Sequence, residues 1–165
     1  MLHHVSVGVT NFERAAKFYD AVLATLGYKR VADYAPHAIG YGTDHPEFWI
    51  GAPHNQLPMT AGNGVHMGFS ARTKAQVQKF HEVALAHGAS NDGEPGPRPD
   101  YGPDYYGAFV YDLDGNKIEA TLHPAPAKAA AKAAPKKKAI KAKKAAKKKV
   151  AKKAVKKKAK RKARR

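Results

Sequence analysis

Two segments of the chain alternate between apolar and polar positions, and they align with each other at an offset of 62 residues. The apolar positions are Val5, Val7 and Val9 in the first segment and Val65, Met67 and Phe69 in the second. A period of two residues is typical of a strand with one buried face. We therefore predict a half-buried strand at the start of each copy of an internal repeat.

A helix is predicted after each of these strands. Thr10 stands three residues before Glu13, and Thr73 stands three residues before Gln76, which is the capping-box signature of a helix N-terminus. Apolar residues then recur at spacings of three and four. In both copies the pattern stops at a glycine, the residue that most often ends a helix.

Further extended segments follow each helix, so that the order β-α-β-β-β occurs twice. They cover residues 29–34, 38–41 and 47–51 in the first copy and 106–112 and 117–123 in the second. The last two flank Asp114-Gly115, a pair that favours the tight turn of a hairpin. Residues 89–105 are rich in proline and glycine and are predicted to form a loop long enough to hold a short edge strand. The predicted fold class is α+β, with two βαβββ modules.

Charge divides the chain into two parts. Residues 1–124 contain 9 Lys and Arg against 13 Asp and Glu, a net charge of −4. Residues 125–165 contain 21 Lys and Arg and no acid, and the two parts together give the net charge of +17 for the whole chain. We predict a folded domain over 1–124, with modules of about 1–60 and 61–124. Residues 125–165 have too few apolar side chains to form a core and are predicted to be disordered. The chain contains no cysteine, which excludes disulfides, thiolate metal sites and a cysteine nucleophile.

The Lys- and Ala-rich tail resembles the C-terminal tails of linker histones. Such a segment binds the phosphate backbone by releasing counterions and does not read the bases. We expect nonspecific nucleic-acid binding through residues 125–165, and one alternative is a DNA-associated protein whose main function lies in this tail. The sequence shows neither a secretory signal pattern nor a long apolar run, so the expected location is cytoplasmic or nucleoid-associated, without a membrane partner.

Strand phase places two histidines on the face opposite the apolar residues. His4 and His66 occupy equivalent positions of the two copies, beside small residues that leave room for a ligand. In the last predicted strand, Glu119 alternates with Ile118 and Ala120 and therefore also faces away from the core. If the two sheets curl together, the two imidazoles and the carboxylate converge in one polar cup. Such a donor set is suited to a catalytic divalent metal ion, with Fe, Mn, Ni, Zn and Mg all open.

Two motifs resemble those of the vicinal oxygen chelate superfamily, which includes glyoxalase I, extradiol dioxygenases and bleomycin-resistance proteins. One motif runs from His4 to Tyr19, and the other runs from Tyr106 to Glu119 and ends in Asp-x-Asp-Gly-Asn-x-Ile-Glu. The resemblance implies a cup-shaped mixed sheet built from both modules and a divalent metal bound by His4, His66 and Glu119. It also implies a small-molecule substrate and lyase, isomerase or dioxygenase chemistry, and homodimers are common in this superfamily.

The fourth ligand position that the resemblance implies is occupied by Trp49, which cannot bind a metal ion. A glyoxalase I would offer a protein ligand there. Glu47 lies two residues earlier on the same face of the strand and would restore a carboxylate if the alignment shifted. The alternative is a metal-free protein that binds a ligand or sequesters a drug, with Trp49 in the floor of its pocket.

Other candidate pocket residues lie in or beside the loop that precedes Glu119. Arg98 and the hydroxyls of Tyr101, Tyr105 and Tyr106 could orient an anionic or planar oxygenated substrate. Arg98 and Tyr106 are also candidates for a catalytic role beside Glu119. The sequence contains no Gly-rich phosphate loop and no Gly-x-Ser-x-Gly motif, so it gives no support for a dinucleotide-binding enzyme or a serine hydrolase.

Overall fold

The computed structural model describes residues 2–122. The predicted disorder of residues 125–165, and with it the predicted nucleic-acid partner, lies outside the described residues. Within residues 2–122, none of the helices is both long enough and apolar enough to cross a membrane.

Each module of the described region runs in the order strand, helix, strand, strand, strand. The first module consists of β1 (Val5–Gly8), α1 (Phe12–Ala24), β2 (Lys29–Tyr34), β3 (Ala38–Gly42) and β4 (Phe48–Gly51). The second consists of β5 (His66–Ala71), α2 (Lys74–Ala86), β6 (Ser90–Pro97), β7 (Tyr106–Tyr111) and β8 (Lys117–Leu122), with a 3₁₀ turn at Pro99–Tyr101 between β6 and β7. The predicted βαβββ order is confirmed in both copies.

The four strands of each module form one mixed sheet. The strand order is β1-β4-β3-β2 in the first sheet and β5-β8-β7-β6 in the second. β1 pairs parallel with β4 and β5 pairs parallel with β8, and the remaining pairs are antiparallel. Because the strands of the two modules follow the same order, the predicted repeat and the α+β class are confirmed. Within residues 2–122 the two sheets are not hydrogen-bonded to each other, and β1 and β5 each lie at an edge of their sheet. The cup built from both modules therefore stays a prediction.

Both helices start within one residue of their predicted positions. In α2 the hydroxyl of Thr73 accepts a hydrogen bond from the backbone amide three residues later at 3.2 Å, which confirms the predicted cap. In α1 the predicted Thr10 cap is wrong, because the side chain of Asn11 accepts the bond from the Arg14 amide at 2.9 Å. The amide of Thr10 instead donates to Asp114 Oδ1 at 3.1 Å, which ties this helix start to the second module.

The Pro- and Gly-rich segment contains β6, an edge strand of the second sheet, where the sequence predicts a loop with room for a short edge strand. β6 pairs antiparallel with β7, and the register is irregular between Asn91 and Gly93 and again between Gly93 and Gly96. Proline and glycine have low strand propensity, and for this reason the sequence pattern does not reveal the strand. The irregular register matters for the site because β6 ends directly before Arg98.

The core lies where the helices cover the apolar faces of the sheets, and α1 also packs against α2. Phe48 of the first module and Phe69 of the second meet edge to face with 5.1 Å between ring centroids. The hydroxyl of Tyr19 on α1 donates a buried hydrogen bond to Asp112 Oδ2 at 2.6 Å, just beyond β7. Burial of each large apolar side chain contributes about 1.5–3 kcal/mol. This packing leaves the polar face of each sheet on the side away from its helix.

Candidate functional site

Glu119 lies in the middle of β8 on the face that points away from α2. Its side chain is only 2% exposed, and the neighbouring strands present Gly68 and Phe109 in register with it. Glycines create the space that the carboxylate occupies, since a Cβ added at Gly107 would lie 2.6 Å from Oε1 and one at Gly68 would lie 3.5 Å from Oε2. We call this surface, which carries His66, Tyr105, Phe109, Lys117 and Glu119, the second polar face.

Both oxygens of the Glu119 carboxylate have a partner. Nε2 of His66 lies 3.0 Å from Oε2, and the Tyr105 hydroxyl donates a hydrogen bond to Oε1 at 2.5 Å. A buried carboxylate needs such partners because the desolvation of an unpaired charge is costly. Burial, and then the bond to Glu119, raise the pKa of Tyr105, so that the phenol keeps its proton at neutral pH. The three side chains form a preorganised carboxylate, imidazole and phenol group.

An aromatic ring and two cations adjoin this group. The ring of Phe109 lies 5.7 Å from the ring of His66, measured between centroids. Arg98 Cζ and Lys117 Nζ each lie 5.3 Å from the Phe109 centroid, and Lys117 also pairs with Asp92 at 2.7 Å. Phe109 and Lys117 are additions to the predicted site, although the period of two places both on the second polar face.

The three candidate tyrosines separate into two groups. Tyr105 reaches the buried carboxylate, and the 65% exposed Tyr101 lies at the rim, with its ring centroid 5.2 Å from that of Tyr105. Tyr106 points to the helix side of β7, where its hydroxyl accepts a hydrogen bond from Gln78 Nε2 at 3.3 Å. The ammonium of Lys74 lies 5.1 Å from the Tyr106 ring centroid. The structure therefore brings Tyr101 and Tyr105 to the site and directs Tyr106 away from it.

The first sheet has a polar face of its own, which carries His4, Ser6 and Trp49 and is called the first polar face. His4 lines a crevice there together with Trp49, His37 and His54. Its Nδ1 lies 2.8 Å from Nδ1 of His3. The Trp49 ring stacks on the ring of Tyr34, with 6.2 Å between centroids and 13° between planes. His4 and Trp49 thus lie together, on a different surface from Glu119.

Glu47 lies at a cleft between the two modules. Its Oε1 is 3.9 Å from Nε2 of His45. It lines a cavity of about 380 Å³ together with Val5, Phe48 and His66. His66 consequently borders both this cleft and the second polar face, whereas Glu47 belongs to the cleft.

The donors that the sequence suggested for a metal ion do not all meet within one chain. His66 and Glu119 are in contact, whereas His4 lies on the first polar face. Within residues 2–122, no group of three or more His, Asp and Glu side chains is arranged to hold a metal ion. Imidazole and carboxylate are suitable ligands for a divalent ion, but one chain brings only two of the three predicted donors together and does not complete a site by itself.

A family model and a solved structure both match the folded region. The model of the Glyoxalase/Bleomycin resistance protein/Dioxygenase superfamily matches residues 1–120. The crystal structure of a glyoxalase/bleomycin resistance protein from Albidiferax ferrireducens T118 is 40% identical, with a TM-score of 0.66, and the match covers 75% of this chain and 99% of that chain.

Two further solved structures share the fold at lower identity. A glyoxalase-related enzyme from Fulvimarina pelagi is 19% identical with a TM-score of 0.61, over 77% of this chain and 93% of that chain. A lactoylglutathione lyase from Agrobacterium tumefaciens is 18% identical with a TM-score of 0.52, over 74% of this chain and 92% of that chain. A search of curated proteins gave no match. The resemblance seen in the sequence is confirmed: the chain belongs to the Glyoxalase/Bleomycin resistance protein/Dioxygenase superfamily.

Proposed function

We propose that this chain is a small-molecule enzyme with its active site on the second polar face. The observation that carries the proposal is the Glu119 carboxylate, which is 2% exposed and contacts His66 on that face. Tyr105 holds its other oxygen. A buried carboxylate in direct contact with other titratable side chains is a frequent feature of active sites, because such an environment controls where protons reside.

The side chains of this face would divide the chemistry between them. Glu119 is the proposed base, which removes a proton from the substrate carbon next to a carbonyl group, as an isomerase or lyase of this superfamily requires. Tyr105 donates its hydrogen bond to Oε1, so Oε2, the oxygen on the His66 side, is the one that would take the proton. Arg98 and the Phe109 ring adjoin this group and would bind the rest of the substrate.

A second copy of the chain would complete the site. Within the described region, β1 and β5 each have an unpaired edge, and each polar face carries only part of the predicted donor set. We therefore propose a homodimer in which the first polar face of one copy meets the second polar face of the other. His4 would then be supplied by the second copy.

In this dimer His66 and Glu119 of one copy and His4 of the other would hold a divalent metal ion. Many members of the superfamily use such ions, and Fe, Mn, Ni, Zn and Mg are all open for this chain. When bound, the ion supplies Lewis-acid polarisation of paired substrate oxygens.

The metal content of the full chain, purified without a tag or a chelator, tests this proposal. We expect close to one divalent ion per chain, and its loss in His66→Ala and in Glu119→Gln, because each variant lacks a donor. His87→Ala is the matched control, since His87 is an exposed histidine at the end of α2 and its removal should leave the metal content unchanged. A low metal content that is equal in all four proteins would contradict metal dependence.

A metal-free ligand-binding or resistance-type protein is the second candidate. The stack of Trp49 on Tyr34 favours it, because an aromatic platform can bind a planar ligand without any chemistry. Trp49 is the only tryptophan of the chain, so its fluorescence reports binding at the first polar face. Ligand-dependent quenching that is the same in metal-loaded and metal-stripped protein would favour this candidate over the enzyme.

We also propose that residues 125–165 bind nucleic acid without sequence preference and so associate the chain with the nucleoid. The support is compositional, since this segment contains 21 Lys and Arg and no Asp or Glu. Neutralisation of backbone phosphates by such a segment releases counterions, which drives binding.

A further inference from the structure

Arg98 is held in one orientation on the second polar face by backbone oxygens. Its Nη2 donates a hydrogen bond to the carbonyl of Glu94 at 2.7 Å, and its Nη1 donates to the carbonyl of Pro97 at 3.1 Å. The side chain is half-buried, with Cζ 5.3 Å from the Phe109 centroid. Such anchoring lowers the entropy that an arginine loses when it binds a ligand.

Two glycines of β6 create the space for this guanidinium group. A Cβ added at Gly93 would lie 3.2 Å from Nη2 of Arg98, and a Cβ added at Gly96 would lie 3.0 Å from Nη1. Both glycines stand at the irregular positions of the β6–β7 register. The irregular strand and its two glycines thus form a recess, here called the cradle, that the guanidinium group of Arg98 fills. An arginine that is free in solvent does not need such a recess.

The charge of Arg98 is not neutralised within residues 2–122. The ion pairs of that region join other side chains, and the partners of the Arg98 guanidinium are neutral carbonyls. Lys117 lies against the same Phe109 ring, but Asp92 pairs with it at 2.7 Å and raises its pKa. Among the described residues, Arg98 therefore places a preorganised positive charge without a counter-ion on the second polar face, beside the His66–Glu119 pair.

We propose that Arg98 is the specificity-determining residue of this face and that it binds a carboxylate or phosphate group of an anionic organic substrate. The inference rests on the proposed small-molecule site and adds the substrate class to it. The planar fork of a guanidinium matches the oxygens of a carboxylate or a phosphate. Phe109 provides the apolar surface beside the anion, so an anion with a planar apolar part fits best.

The test measures the binding of benzoate, phenyl phosphate and the neutral benzamide to the isotope-labelled full chain. Backbone amide shifts of residues 92–110 in NMR spectra report the site and are separate from those of the basic tail. A salt concentration of about 0.15 M screens charges that are more than about 8 Å away. We expect one or both anions to shift these amides with at least a tenfold lower Kd than benzamide, and the two anions show whether carboxylate or phosphate is preferred.

Arg98→Gln should raise the Kd of the preferred anion at least tenfold and leave that of benzamide unchanged. Arg72→Gln is the matched control, because it removes the same charge from an exposed position and should bind like the unchanged chain. Equal anion binding by Arg98→Gln and Arg72→Gln would overturn the inference, as would benzamide binding at least as tightly as both anions.

A second variant keeps the charge and changes only the cradle. Gly96→Ala should displace the guanidinium, because the added methyl lies 3.0 Å from Nη1, and should weaken anion binding severalfold at constant net charge. This variant decides the question if Arg98→Gln fails to fold, and unchanged binding by folded Gly96→Ala would then overturn the inference. The binding measurement involves neither metal nor turnover. If the purified chain holds no metal and Arg98 still binds the anion, only the metal-dependent function is contradicted; if metal is bound and Arg98 binds no anion, only this inference is contradicted.

Discussion

The hydrogen bond from Tyr105 to Glu119 connects the stability of the fold with the proposed function. The carboxylate is buried, and its two oxygens are held by His66 and by the phenol. Loss of either partner would leave part of a buried charge unsatisfied, which costs more than the hydrogen bond itself contributes. The geometry of the proposed base therefore depends on a residue that does not need to react.

Tyr105→Phe should lower the free energy of unfolding by about 1–3 kcal/mol, because it leaves one oxygen of the buried Glu119 carboxylate without its donor. Urea denaturation of the full chain measures this change. Tyr101→Phe is the matched control on the exposed rim, and it should stay within about 0.5 kcal/mol of the unchanged chain. Equal losses of unfolding free energy in both variants would show that the hydrogen bond to Glu119 does not stabilise the fold.

The sequence predicts some members of this site and cannot separate others. The period of two places His66 and Glu119 on the polar side of their strands, and the structure has them in contact. Tyr105 and Tyr106 are adjacent, so only the pairing of Tyr106 with Leu122 in the β7–β8 register decides which of them faces the carboxylate. Register depends on the partner strand and is therefore not visible in a local pattern.

At the scale of elements, prediction succeeds where one period dominates. Both helices and most strands follow from apolar spacing, because one face of each is buried against a single core. β6 is the exception, since its proline and glycine residues hide a strand whose irregular register with β7 makes room for Arg98. The cap of α1 is Asn11 rather than Thr10, and the amide of Thr10 is bonded to Asp114 of the other module, a contact that no local pattern predicts.

A buried hydrogen bond between Tyr19 and Asp112 joins α1 to the second module. Burial, followed by the charge of Asp112, raises the pKa of Tyr19 well above its ordinary value. The folded chain thus keeps this proton at a pH where the unfolded chain releases it. The stability that the phenol contributes is fully present below about pH 10 and falls as the pH rises above that value.

Tyr19→Phe should lower the free energy of unfolding at pH 7 by about 1–2 kcal/mol, because Asp112 loses a buried donor. The variant should also show a shallower loss of stability between about pH 9.5 and 11, since one titrating phenol accounts for up to about 1.4 kcal/mol per pH unit. Denaturation curves at several pH values measure both effects. Tyr111→Phe, which changes a phenol that is 38% exposed, is the control, and an equal change of slope in that variant would contradict the role given to Tyr19.

At the scale of the whole molecule, local patterns do not determine which surfaces meet. Equivalent phases in the repeat suggest that His4 and His66 converge, yet α1 packs against α2 and the two histidines lie on different polar faces. Whether two halves close within a chain or between chains depends on how the modules dock, which no strand or helix period encodes. The function of the tail is likewise not encoded in the domain, because the net charge of −4 on residues 1–124 is too small to balance the 21 Lys and Arg of residues 125–165.

The proposed tail function predicts strongly salt-dependent DNA binding by the full chain. If about ten lysines neutralise phosphates of duplex DNA, the logarithm of the affinity should fall with the logarithm of the salt concentration at a slope of roughly −9. A chain that ends at residue 124 should lose nearly all of this binding, because it carries 9 Lys and Arg against 13 Asp and Glu. Equal affinities of the two chains across a salt series would contradict the tail function.

The proposed dimer makes a prediction that a single chain cannot satisfy. Each of the single variants His4→Ala and His66→Ala should abolish metal binding, because every site in a dimer of that variant lacks one donor. In a mixed dimer of the two variants, one of the two sites combines an intact His4 with an intact His66. Co-refolding equal amounts should therefore restore metal to about a quarter of all sites, since half of randomly formed dimers are mixed.

A mixture of His66→Ala and Glu119→Gln is the matched control for this experiment. Both substitutions remove donors from the second polar face, where the two side chains of the same copy lie 3.0 Å apart, so every site in a mixed dimer lacks one of them. Metal content measured after gel filtration should recover in the first mixture and stay low in the second. Recovery in neither mixture, while the unchanged chain binds its metal, would mean that each site is formed within one chain and that the two polar faces do not meet across a dimer interface.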